Sequence, residues 1–271
     1  MKPRIAIGIT TYLDLSDVAF GAAVYDALVA ASNRLAPDKG NVMGMRCEIA
    51  SRQDFVDRWM SRLPFETREN RGRGPVIDRG EYVVGLQWRS RGGNGRVNFR
   101  APSSDPNADC TLTLDLAWAA RTDWAGLFDR LVEITSPSHA MLHLFTPAEI
   151  DAHPRGDPHD DFDGPVVGEG TFTAWLSSIG DWRRPDRHRP EERRRYRFLP
   201  QLSWANVLGK EFDGCYDPEA IRALGQDTRS VGDGLGFRVT GALADVERDP
   251  DAFAAARARL RGAFAPDVFR R

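Results

Sequence analysis

Between residues 82 and 118 the chain switches between apolar and polar at nearly every step. Tyr82, Val84, Leu86 and Trp88 alternate with Val83, Gly85, Gln87 and Arg89. Val97 and Phe99 alternate with Asn98 and Arg100, and Leu112, Leu114, Leu116 and Trp118 with Thr111, Thr113 and Asp115. A period of two sends successive side chains to opposite faces, so these runs are half-buried antiparallel strands. Gly92-Gly93-Asn94-Gly95 supplies the positive φ angles of a tight hairpin turn between the first two.

Helical spacing brackets this region. Val18, Ala22, Tyr25 and Val29 recur on one face of a helix capped by Ser16 or Asp17 and stopped by Pro37-Asp38-Lys39-Gly40. Ser51 and Asp54 resemble a capping box, with Phe55 and Trp59 forming an i, i+4 pair on the short helix that follows. Thr122 can cap a helix carrying Trp124, Leu127, Phe128 and Leu131 at i, i+3, i+4, i+7. Further strands are expected at residues 4–10, 45–50 and 139–146, and a polar loop from Arg62 to Gly80. The last third reads as a strand at about 196–207, a short helix at about 217–224 and a hairpin at about 229–240 turning at Gly232-Asp233-Gly234. A closing helix follows, with Pro250 in its first turn and Phe253, Ala256 and Leu260 buried. This order implies an α+β fold: a mainly antiparallel sheet with helices packed on one face. The chain forms one domain, or two closely packed halves (about 1–150 and 165–271) joined by an acidic loop.

Composition narrows the function classes. The net charge of −2 over 271 residues gives no overall attraction to nucleic acid or anionic membrane. No apolar run approaches the roughly 20 residues needed to cross a bilayer. Met1 to Thr10 reads as a first strand, not a signal peptide. Cys47, Cys110 and Cys215 are isolated, which is no disulfide framework and no zinc pattern, and points to a reducing cytoplasm.

Chemical signatures are sparse. His139 and His143 fall on one face of a strand without an acidic or cysteine partner at ligand spacing, and read as edge or surface histidines. His153 and His159 flank a loop that half imitates a calcium site through Asp161, Asp163 and Gly164, but Gly170 stands where the closing bidentate carboxylate belongs. No serine sits in a Gly-x-Ser-x-Gly elbow. Cys215 has no histidine near it in sequence and reads as a half-buried structural thiol. Gly232-Asp233-Gly234-Leu235-Gly236 joins two strands and lacks the helix start of a phosphate cradle. No cofactor or resident metal is implied.

Two charged segments stand out. Residues 147–170 hold Glu149, Asp151, Asp157, Asp160, Asp161, Asp163 and Glu169 against Arg155. Residues 183–197 hold eight Arg against Asp186, Glu191 and Glu192. Lys occurs only at positions 2, 39 and 210, so Arg is this chain's general cation and an Arg cluster carries less weight than usual.

Phe198-Leu-Pro-Gln-Leu-Ser-Trp-Ala-Asn-Val-Leu-Gly209 resembles the immunity protein 52 family and related type VI secretion immunity proteins of bacteria. There a Leu-Pro, an aromatic pair, a polar Asn or Thr and a Gly form a core strand, matched here by Leu199, Pro200, Trp204, Asn206 and Gly209. Gln201 and Ser203 depart from the pattern. The likeness covers about the last 80 residues. It implies a cytoplasmic, non-enzymatic protein that binds and neutralises a cognate toxin, often a nuclease. The toxin contact is expected at Asp157, Asp160, Asp161 and Asp163, since carboxylates complement a site built to hold phosphates. Two alternatives remain open: a nucleic-acid-binding accessory protein acting through 183–197, and a metal-assisted hydrolase using the His/Asp loop.

Overall fold

The computed structural model describes residues 2–70, 75–99, 110–151, 199, 201–266 and 268–269. Twelve strands run through them: β1 (Arg4–Thr11), β2 (Lys39–Val42), β3 (Met45–Glu48), β4 (Met60–Asn70), β5 (Pro75–Gly85), β6 (Gln87–Ser90), β7 (Gly93–Asn98), β8 (Cys110–Ala117), β9 (His139–Phe145), β10 (Ala205–Leu208), β11 (Gln226–Val231) and β12 (Gly234–Arg238). The helices are α1 (Val18–Ala31), α2 (Arg52–Arg58), α3 (Trp124–Thr135), α4 (Pro147–Asp151), α5 (Pro218–Leu224), α6 (Asp245–Arg248) and α7 (Pro250–Arg261).

Ten strands form one sheet in the order β11-β12-β10-β9-β1-β8-β7-β6-β2-β3, every neighbouring pair antiparallel. The fold is therefore α+β and mainly antiparallel. One face carries Ile5, Ile7 and Ile9 of β1, opposite Leu116, Leu114 and Leu112 of β8 and Leu144, Leu142 and Ala140 of β9. Helices α1, α2 and α3 make the layer on that side. Phe128 and Leu131 of α3 are buried there, and Phe55 of α2 meets Trp88 of β6 edge to face, with ring centroids 5.2 Å apart. On the opposite face, at β9, the Phe253 ring of α7 lies 5.8 Å from the His143 ring.

The capping residues are the ones such helices require, with small differences from the sequence reading. Asp17 caps α1, Ser51 caps α2, and Asp123 caps α3 in place of Thr122, its carboxylate being better placed to accept from the Gly126 N–H. Pro218 and Pro250 open α5 and α7. The β6–β7 turn is Arg91-Gly92, one step ahead of the Gly run. Gly93 (φ +143°) and Gly95 are already in β7, and a Cβ on Gly95 would sit 2.2 Å from the Trp88 ring.

Two expectations are corrected here. Residues 62–80 contain an antiparallel ribbon, β4 with β5, rather than a loop. Its apolar residues are interrupted by Pro64, Gly80 and the polar run Glu66 to Asn70, so no sustained apolar period announces it. Cross-strand pairing holds it instead, including Arg62–Glu81 at 3.6 Å. The strand expected at about 196–207 is confined among the described residues to Ala205–Leu208. Leu199 makes an isolated bridge to Phe269, and residues 201–204 form a loop closed by side chains.

Candidate functional site

The motif residues converge where β9 and β10 meet. Leu199 and Trp204 are buried, and Asn206 closes the loop before β10. Its Nδ2 donates to the Ser203 carbonyl at 2.8 Å, and its Oδ1 accepts from the Ser203 N–H at 2.9 Å. A buried Asn keeps its place by satisfying both ends of its amide. Gly209 is required by close approach, since a Cβ there would lie 2.8 Å from the Ser138 carbonyl oxygen. Trp204 donates its indole N–H to Thr240 Oγ1 at 3.2 Å, while the Arg238 guanidinium lies over its ring at 5.2 Å. These residues build a core strand and its entry loop. Pro200 lies outside the described residues.

His143 organises the neighbouring network. Its Nδ1 accepts the Trp204 backbone N–H at 3.1 Å, which places the ring proton on Nε2, 3.2 Å from Glu149 Oε1. Glu149 also accepts from the Thr146 N–H at 3.0 Å, and its own N–H donates to Thr146 Oγ1 at 3.2 Å. That reciprocity is a capping box at the start of α4. The Arg257 guanidinium of α7 stands 3.9 Å from the same carboxylate. Burial pushes the Glu149 carboxyl up, but the His143 hydrogen bond, the Thr146 N–H and Arg257 outweigh it and hold it at about 2. His139, wholly buried against Phe212 two turns of the pleat away, is pushed down to about 3 by desolvation.

Both histidines are therefore buried in a central strand, against the expectation of edge or surface positions. The run His-Ala-Met-Leu-His-Leu-Phe is covered on both faces, so no polar face marks it. The Glu149 partner lies six residues on in sequence, and Thr146-Pro147-Ala148-Glu149 is the signal that could have found it. Residues 147–151 are accordingly helical and not the start of a loop.

A second charged cluster lies across the sheet. Asp129 of α3 binds Arg229 of β11 and, at 3.0 Å, Arg238 of β12. Asp227 reaches Arg238 at 2.9 Å and Arg229 at 3.0 Å. Two carboxylates balance two guanidiniums beside a depression with about 10 Å³ of room, the space of one water, which is too small for a metabolite. Chemically, both networks tie elements together. The His143 ring is engaged at both nitrogens, and among the described residues no group of three or more His, Cys, Asp or Glu side chains is disposed to hold a metal. Cys215 is half-buried. Asp157, Asp160, Asp161 and Asp163, His153, His159, His188 and the Arg-rich 183–197 all lie outside the described residues. Among the described residues no helix is long and apolar enough to cross a membrane.

No family model matches the chain, and no curated protein matches it. Its fold is similar to that of a solved structure, the Pseudomonas aeruginosa T6SS protein PA0821. The TM-score is 0.55 at 11% identity, over 97% of this chain and 73% of that one. At that identity the likeness is one of fold.

Proposed function

We propose that this chain is an immunity protein of the type VI secretion class, which binds a cognate toxin in the cytoplasm and neutralises it without chemistry of its own. The observation that carries this reading is the fold likeness to a T6SS protein over nearly the whole chain. Leu199, Trp204, Asn206 and Gly209, the residues of the immunity-like motif, lie in β10 or near it, with Leu199 and Trp204 buried. The acidic residues Asp157, Asp160, Asp161 and Asp163 are the proposed toxin contact. Their charge suits the cationic site of a nuclease and would speed encounter.

The test is to identify a secreted protein encoded beside this gene and co-express the two. That protein alone should arrest growth, and this chain should restore it and co-purify with it. Persistent arrest with no complex would overturn the proposal. Within a complex, changing the four Asp to Asn should weaken binding by about tenfold or more and flatten its salt dependence, read by titration calorimetry at two ionic strengths. Unchanged affinity and salt slope would move the contact elsewhere.

A further inference from the structure

The two edges of the sheet are built differently. At one end β11 carries a bulge between Gln226 and Arg229, with Asp227 in the left-handed region (φ +46°), and its charges are spent on Asp129 and Arg238. Such an edge resists further pairing. At the other end β3 is regular.

The ladder fixes which backbone groups of β3 face outward. Lys39 pairs Glu48, Gly40 pairs Cys47 and Val42 pairs Met45, and the Ile49 N–H donates to the Asp38 carbonyl at 3.0 Å. Hydrogen-bonding alternates along an antiparallel pair, so Met45, Cys47 and Ile49 bond toward β2. The N–H and C=O groups of Arg46 and Glu48 therefore point off the sheet. Both side chains are exposed, and neither has an ion-pair partner among the described residues. Beside them Met43 and Met45 are 65% and 61% exposed.

We infer that β3 pairs antiparallel with β3 of a second copy of this chain, with Cys47 on the two-fold axis. An isologous contact must be complementary to itself. With Cys47 opposite Cys47, Arg46 of each copy lies opposite Glu48 of the other, and these are the residues whose backbone groups face out. All four outward groups on each strand are then satisfied, and two opposite-charge pairs form. Centring the pair on Arg46 or on Glu48 sets like charges against each other, so charge selects this register. Met45 comes opposite Ile49 of the second copy, on the face that α2 covers, and loses its exposed apolar surface. The short, charged strand thus rejects arbitrary edges while accepting its own copy.

The experiment is sedimentation equilibrium on the full chain and two charge-reversed variants, Arg46→Glu and Glu48→Arg. The wild type should show a concentration-dependent monomer–dimer equilibrium. Each variant alone sets like charges opposite each other and should raise the dimer dissociation constant about tenfold. An equimolar mixture of the two restores opposite charges at both pairs and should associate as the wild type does. Circular dichroism checks that each variant is folded. A wild type that stays monomeric, variants that dimerise undiminished, or folded variants that fail to associate when mixed would each overturn the inference.

Discussion

Strands β1, β9 and β10 are buried on both faces, whereas β6, β7 and β8 are buried on one face only. In the doubly covered part the polar side chains are few and engaged: His143 with Glu149 and the Trp204 N–H, and Asn206 with Ser203. In the singly covered part Lys39, Gln87, Arg89, Asn94 and Arg96 line an open face, bonded only lightly to one another. The difference teaches where this molecule stores its stability and where it meets solvent. One half is a scaffold whose polar groups are structural. The other presents a polar face and, at β3, a regular edge strand with Met45, Arg46 and Glu48 exposed.

Substitutions should respect that division. The largest loss is expected in the closed half from Trp204→Ala, which removes a fully buried ring and strips the packing under Arg238. It should destabilise by about 3–5 kcal/mol in chemical denaturation. A loss under 1 kcal/mol would break the comparison.

Acid should act through the same half. Folded His139 resists protonation down to about 3, while the unfolded ring takes up a proton near 6.5, so stability falls as pH drops through that window. The total is on the order of 4 kcal/mol at 1.36 kcal/mol per unit. Glu149 adds to it. Its folded value of about 2 against an ordinary 4.5 stabilises above pH 4.5, and that contribution is lost as pH falls toward 2. Unfolding curves from pH 7 to 3 should show a steep decline. His139→Gln should flatten the upper part and Glu149→Gln the lower part.

Gly209→Ala is expected to cost about 2 kcal/mol, because its Cβ meets the Ser138 carbonyl and Glu211. Smallest is Arg89→Ala on the open face, within about 0.5 kcal/mol of wild type by thermal melting. An Arg89 effect as large as that of Gly209 would erase the distinction between the halves.

How much could be read in advance follows the same line. Half-buried strands display their environment, so Leu112, Leu114 and Leu116 announce β8, and the helical spacing of Trp124, Leu127, Phe128 and Leu131 announces α3. A strand covered on both faces has no alternation, and His139 and His143 then look like surface residues. The β4–β5 ribbon has no sustained apolar period, and its pairing is one that only the partner strand reveals. The His143–Glu149–Arg257 network unites β9, α4 and α7, and the Arg257 contact spans more than a hundred residues. Only the Thr146–Glu149 capping box was written locally. The short strand β2 was hidden because Pro37 to Gly40 reads as a helix stop, whereas α1 has already ended at Ala31 with Ser32 as its cap.

Amide hydrogen exchange, followed at low and high protein concentration, tests the division between a closed scaffold and an open edge most directly. Amides of β1, β9 and β10 should exchange slowest at both concentrations, while those of Arg46 and Glu48 should exchange fast when dilute and slow when concentrated. Equal protection across all ten strands, or Arg46 and Glu48 amides indifferent to concentration, would contradict the account.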